Sequence, residues 1–500
     1  MQNIPTRFME ILHEISDLGA AIALLDWDQQ TYMPPGAAEG RGHQLATLAR
    51  LRHVRLTSEE LGTLLEELEQ QIRGCDPDSS EARLVKVTRR EYDKAQRVPT
   101  DWVAEFARVT ALAHSAWEQA RTTSSFALFQ PHLEKIVMMR RQYADFFAPY
   151  DHVYDPLLDD FEPGLKTSEV KTIFDRLRPQ QVKLIQAIGT RPQVDDSFLF
   201  QNFSEAEQWN FGVEVITRFG YDWNHGRQDT SMHPFTSSFG LDDVRITTRL
   251  SPNNLSMGLF GSMHECGHAL YEQGIQGEFA RTPLASGASM AIHESQSRLF
   301  ENLVGRSLPF WHHFYPLLQK VFPAQLGNID LLTFYRGINR VQPSLIRVEA
   351  DEATYNLHIM LRLELEIALM EGSLTVADLP ESWNSRMEAY LGIKPPDDAH
   401  GVLQDVHWSA GLMGYFPTYA LGNIISAQLW QTIKRDIPDL EKQISAGKFD
   451  DLLAWLREKV HQYGAKYEPQ ELVQNITGQK IDPSAYLHSL EEKFGQIYEL

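Results

Sequence analysis

Apolar residues recur at three- and four-residue spacing through most of this 500-residue chain, and that periodicity limits the fold more than any other feature. Phe8, Ile11, Leu12, Ile15 and Leu18 mark one face of an N-terminal helix. The same spacing predicts helices over 44–51, 59–73, 80–95, 102–121, 129–147, 168–188 and 205–219. Breakers separate the first of them: MPPG at 33–36, CDPDSS at 75–80 and VPT at 98–100. Residues 222–256 interrupt the pattern. Up to Asp243 the stretch reads as loop, and a strand follows. In that strand Val244, Ile246, Thr248 and Leu250 point one way while Arg245, Thr247 and Arg249 point the other, a half-exposed alternation. Helical periodicity resumes near Leu255 and holds to the C-terminus. No linker of useful length and no internal repeat divides the chain, so 1–500 reads as a single, mostly α unit with a small β element.

The charge narrows the partners. Lys and Arg number 46 against 67 Asp and Glu, a formal charge of −21 that repels phosphate backbones and anionic lipid. Nucleic acid and membrane surfaces are therefore not expected partners. Cys75 and Cys266 are too few for a disulfide framework, and the N-terminal residues lack a secretory pattern, so a cytoplasmic location is expected. Trp408 to Thr432 carries no charge, but Pro417, Asn423 and several hydroxyl residues make it a buried segment rather than a membrane span.

The densest chemistry is HECGH at 264–268. On a helix His264 and His268 lie one turn apart on one face and can converge on a zinc ion, with Glu265 beside them as a general base. Such a site needs a third protein ligand. Glu294, in MAIHESQSRLFENLVG, is the candidate, because 25 residues after His268 allow one helix to end, a loop to turn and a second helix to return. His293 and Glu301 are rivals, and Glu294 could instead pair with Arg298 one turn on. Cys266 points away from the histidine face and reads as a small buried residue. Arg347 sits among Glu349, Asp351 and Glu352, so a local ion pair competes with substrate binding; Arg245 is similarly open. Gln404, His407, Tyr415 and Tyr419 are polar groups in the uncharged 401–423 segment, where ordinary buried hydrogen bonding competes with oxyanion stabilisation. His233, before Pro234, could be turn chemistry alone.

Taken together these segments resemble the carboxypeptidase Taq family of zinc metallocarboxypeptidases. The resemblance runs through HPF at 233–235, DVRIT at 243–247, HECGH, HESQ at 293–296, IRVEAD at 346–351 and GVLQDVHW at 401–408, and extends to both ends of the chain. It implies a zincin-like helical fold of the angiotensin-converting-enzyme and neurolysin type, two helical halves flanking a deep groove. It implies release of single C-terminal residues from peptides with a free C-terminus, with broad tolerance and poor release of proline. One zinc per subunit, replaceable by cobalt, and a homodimer are implied too. On that resemblance the metal ligands are His264, His268 and Glu294, and Glu265 is the base. Arg347 becomes the leading carboxylate-binding residue, with Arg245, His233 and Gln404 as further substrate contacts. His407, Tyr415 and Tyr419 become oxyanion candidates, the two tyrosines undivided. An endopeptidase or peptidyl-dipeptidase on the same scaffold, and an inactive peptide-binding scaffold, are the competing readings.

Overall fold

The computed structural model describes residues 4–500. Helices dominate it, beginning with Thr6–Thr31, Ala38–Leu56, Glu59–Gln71, Ser80–Arg97, Thr100–Thr123 and Phe126–Asp145. Each expected N-terminal helix is present; most run past the expected ends, whereas those expected over 59–73 and 129–147 stop two residues early, at Gln71 and Asp145. Ser58 and Ser79 cap two of them, accepting from the backbone N–H groups of Leu61 and Ala82.

The interrupted region holds more sheet than expected. Three short strands form it: β1 (Gln228–Thr230), β2 (Thr236–Ser238) and β3 (Val244–Thr248). β3 is central, parallel to β1 with Gln228 opposite Ile246, and antiparallel to β2 with Thr236 also opposite Ile246. The half-exposed alternation expected of β3 holds at the part-exposed Arg245 and the exposed Arg249 but fails at Thr247. That residue is fully buried, and its hydroxyl accepts from Phe235 N–H and from the Ser231 hydroxyl. Three-residue strands are too short for alternation to reveal, so β1 and β2 read as loop.

The sheet packs against the helix Leu255–Gly274, which carries HECGH. Asn254 opens this helix, its side chain accepting from the N–H groups of Ser256 and Met257. The helix Met290–Arg298 lies alongside, with Ser289 as its cap. Gly267 sits at their contact. A Cβ there would lie 2.5 Å from the Gln296 carbonyl oxygen and 2.6 Å from Ser297 Cα. The helix Pro417–Asp436, from the uncharged segment, closes on the other side. A Cβ at its Gly422 would lie 2.6 Å from Glu294 Cβ. No helix among the described residues is long and apolar enough to cross a membrane.

Two hydrophobic clusters hold these layers. The larger spans residues from Val109 to Tyr498. The smaller joins Phe8, Ile11, Leu12, Leu61, Leu65, Leu84 and Val85 to Ile275, Phe279 and Leu284, which belong to the loop between Leu255–Gly274 and Met290–Arg298. Gly267→Ala is expected to cost about 1–3 kcal/mol in urea unfolding, because its methyl meets backbone that no rotamer change can clear. Unfolding at the wild-type midpoint would contradict that tight contact.

Candidate metal centre and active site

His264 and His268 stand one turn apart on Leu255–Gly274, and Glu294 faces them from Met290–Arg298. Glu294 Oε2 lies 3.6 Å from His264 Nε2 and 3.5 Å from His268 Nε2. One donor atom from each residue falls within 4.8 Å of the others, the one such cluster among the described residues. Two imidazoles and a carboxylate converging at this scale fit a catalytic divalent cation, which takes three protein ligands and keeps a position open.

The rivals lie behind the three converging side chains. Glu301 Oε2 is 2.9 Å from His264 Nδ1, and His293 Nδ1 is 2.7 Å from His268 Nδ1. His293 Nε2 in turn meets Glu272 Oε1 at 2.7 Å. The anticipated Arg298 pair also forms, but on the other oxygen: Arg298 Nε donates to Glu294 Oε1 at 2.7 Å, and Arg298 Nη1 donates to Glu301 at 3.2 Å. Glu301 reaches its place because Met290–Arg298 passes into a π-helical turn, Leu299–Val304. Burial opposes ionisation of both carboxylates. Arg298 overrides it, holding Glu301 down to about 2 and Glu294 well below the usual range.

Glu265 is buried one residue along from His264. Its Oε2 accepts from the Thr236 hydroxyl at 2.7 Å, so β2 orients it. Burial pushes its carboxyl upward, with His264 opposing. Sequence reading missed Thr236 because its strand read as loop. Cys266 is fully buried, as a small residue on the far face should be.

A cavity of about 1120 Å³ opens on this centre. His264, Glu265, His233, Arg347, Gln404, His407 and Tyr419 line it; Tyr415 and Arg245 do not. Arg347 does not pair with its acidic sequence neighbours. Its Nε and Nη2 donate to Asp405 Oδ1 at 2.9 and 2.8 Å, and its Nη1 donates to the Tyr355 hydroxyl at 2.9 Å. The fully buried Arg362 grips the other oxygen of Asp405 through Nε at 2.7 Å. Gln404 organises the same knot, its Oε1 accepting from Arg347 N–H and Arg362 Nη2 while its amide donates to the Leu345, His400 and Gly401 carbonyls. Arg245 is held by Asp243 at 2.8 Å and lies over Trp27 and Phe239. His407 Nε2 is 3.2 Å from the Tyr419 hydroxyl. Burial pushes His407 down to about 3, helped by Arg347 and Arg362 against Asp405. Tyr355 and Asp405 carried no signal in the sequence beyond polarity within apolar or motif segments.

Residues 7–494 match the family model of the carboxypeptidase Taq (M32) metallopeptidases. The chain belongs to this family. Thermostable carboxypeptidase 1 of Thermus thermophilus is 41% identical over 500 residues, 98% of each chain. Carboxypeptidase 1 of Bacillus subtilis is 36% identical over 99% of this chain and 98% of its own. The crystal structure of a carboxypeptidase from Deinococcus radiodurans superposes with a TM-score of 0.95 at 40% identity, covering 99% of both chains. This carboxypeptidase Taq chain is thus a metallocarboxypeptidase with the mostly helical fold that the resemblance implied.

Asp405→Asn is expected to destabilise this carboxypeptidase by about 3–5 kcal/mol at neutral pH, because two buried guanidinium groups lose their shared counter-charge. The two arginines hold Asp405 far below the usual carboxylate range against burial, so its contribution is full above the unfolded pKa and decays only as acid protonates the folded form. Urea unfolding of both proteins across pH checks the size and the sign.

Proposed function

We propose that this enzyme removes single residues from the free C-terminus of peptides, with broad side-chain tolerance and poor release of proline. The observation that carries the reading is one cavity lined by His264 of the converging His264, His268 and Glu294, by the buried Glu265, and by Arg347 with the Asp405 that it shares with Arg362. His264, His268 and Glu294 would hold one zinc per subunit, with cobalt able to replace it. When bound, the cation supplies Lewis-acid polarisation of water and of the scissile carbonyl.

Glu265 takes the proton of the attacking water and passes it to the leaving amine. Its burial suits the task, since a raised carboxyl binds that proton more readily than an exposed one. His407 is neutral at physiological pH, and with the Tyr419 hydroxyl beside it offers donors to the developing oxyanion. Tyr419 takes this role in preference to Tyr415 because it lines the cavity. Arg347 binds the substrate carboxylate. Three of its five N–H groups are used within the protein, and two buried arginines sharing one aspartate leave a net positive charge to be met. Gln404 fixes the backbone of Arg347 rather than touching substrate, and Arg245 ties the N-terminal helix to the sheet. His233 borders the cavity mouth. A homodimer, a cytoplasmic location and one catalytic domain over 1–500 belong to the same proposal, on the family resemblance.

Glu265→Gln should lower kcat by about 10²–10⁴ while retaining metal; near-normal turnover with metal bound would remove it from the role of base. Arg347→Ala should lose on the order of 30-fold or more in kcat/KM, from about 2–5 kcal/mol of charge pairing. The direct test offers one peptide as free acid and as C-terminal amide and reads products by mass spectrometry. Stepwise loss from the free acid with the amide spared is expected. Dipeptide release or internal cuts in both forms would replace the reading.

A further inference from the structure

We infer that His293 and Glu272 form a relay that positions the second ligand imidazole and slows escape of the metal. The inference rests on the metal reading above and adds to it two residues outside the ligand set. It starts from hydrogen-bond direction. A cation held at His268 Nε2 leaves Nδ1 as the N–H of that neutral ring. That N–H is 2.7 Å from His293 Nδ1, which therefore accepts. His293 then carries its proton on Nε2 and donates it to Glu272 Oε1 at 2.7 Å. One arrangement of protons satisfies both bonds, and the chain ends on a buried carboxylate. No other side chain among the described residues hydrogen-bonds that carboxylate.

The two ligand histidines are thus braced differently. His264 donates directly to Glu301, itself held by Arg298. His268 reaches its carboxylate only through a second ring. The slot for that ring is built. His293 lies 4.8 Å from the ring of His268 and 5.2 Å from that of Tyr271. Gly287 leaves the remaining space: a Cβ there would stand 2.7 Å from His293 Cδ2 and 3.0 Å from Tyr271 Cε1. His293 also directly precedes Glu294, so one helix provides the third ligand and the brace of the second. Any shift of that helix loosens two ligands together.

The test loads the full-length protein with zinc and follows zinc release into excess chelator. His293→Phe is expected to hold zinc about 10–100-fold less tightly, and Gly287→Ala to change release in the same direction by crowding the ring. Glu272→Gln should add nothing further in the His293→Phe background, since both act on one relay, whereas Glu301→Gln should multiply the effect. The cobalt-loaded variant should show shifted visible absorption bands. Wild-type release from His293→Phe, or a multiplicative effect of Glu272→Gln upon it, overturns the relay. If His293→Phe does not fold, wild-type release from both Gly287→Ala and Glu272→Gln overturns it instead. Failure of the wild-type protein to hold stoichiometric zinc overturns the metal reading itself, an outcome distinct from zinc held equally well by all variants.

Discussion

Three helices meet at the candidate metal centre with almost no side chain between two of their contacts, and the convergence of His264, His268 and Glu294 depends on that closeness. Gly267 lets Met290–Arg298 approach the HECGH helix backbone, and Gly422 lets Pro417–Asp436 close over Glu294 from the other side. A carboxylate side chain is short. It reaches two imidazoles on a neighbouring helix only if the helix axes come nearer than ordinary apolar packing allows. The same approach brings the backing residues into place, because Glu301, His293 and Arg298 all ride on or just beyond the middle helix.

Around this contact the buried charges alternate in sign. Glu294, Arg298 and Glu301 form one run, and Arg347, Asp405 and Arg362 another. The two runs approach one another through Tyr355, whose ring lies 4.4 Å from the Arg298 guanidinium and whose hydroxyl accepts from Arg347. Ions taken out of water are costly unless closely paired. Alternation keeps each one paired while leaving the second run with an excess positive charge. A strongly acidic chain can therefore present a cationic spot inside a groove, where low dielectric strengthens it and bulk charge matters little.

Much of this was legible in the sequence, and the illegible parts share a cause. Helical periodicity found the N-terminal helices, and the i, i+4 histidines found the centre, because both signals are local. Glu294 was already ranked above His293 and Glu301, but the places of those two against the far nitrogens of the histidines were not legible, and the π turn that places Glu301 leaves no mark in residue spacing. The partner of Arg347 was missed because Asp405 is distant in sequence, whereas Glu349, Asp351 and Glu352 are near; proximity along the chain misled. Thr236 and Tyr355 needed the tertiary fold, since each is an ordinary residue until a neighbour meets it.

The smaller hydrophobic cluster has a consequence for how the chain comes together during synthesis. Its N-terminal helices are made first, but Ile275, Phe279 and Leu284, which complete their core, follow roughly 200 residues after Val85. Until that loop emerges, Phe8, Leu61 and their neighbours lack the rest of their packing surface and remain open to other apolar contacts. The loop they wait for is the one that spaces His268 from Glu294. Closure of the first-made part of the molecule and the placing of Glu294 opposite the two histidines are thereby tied to the arrival of a single segment.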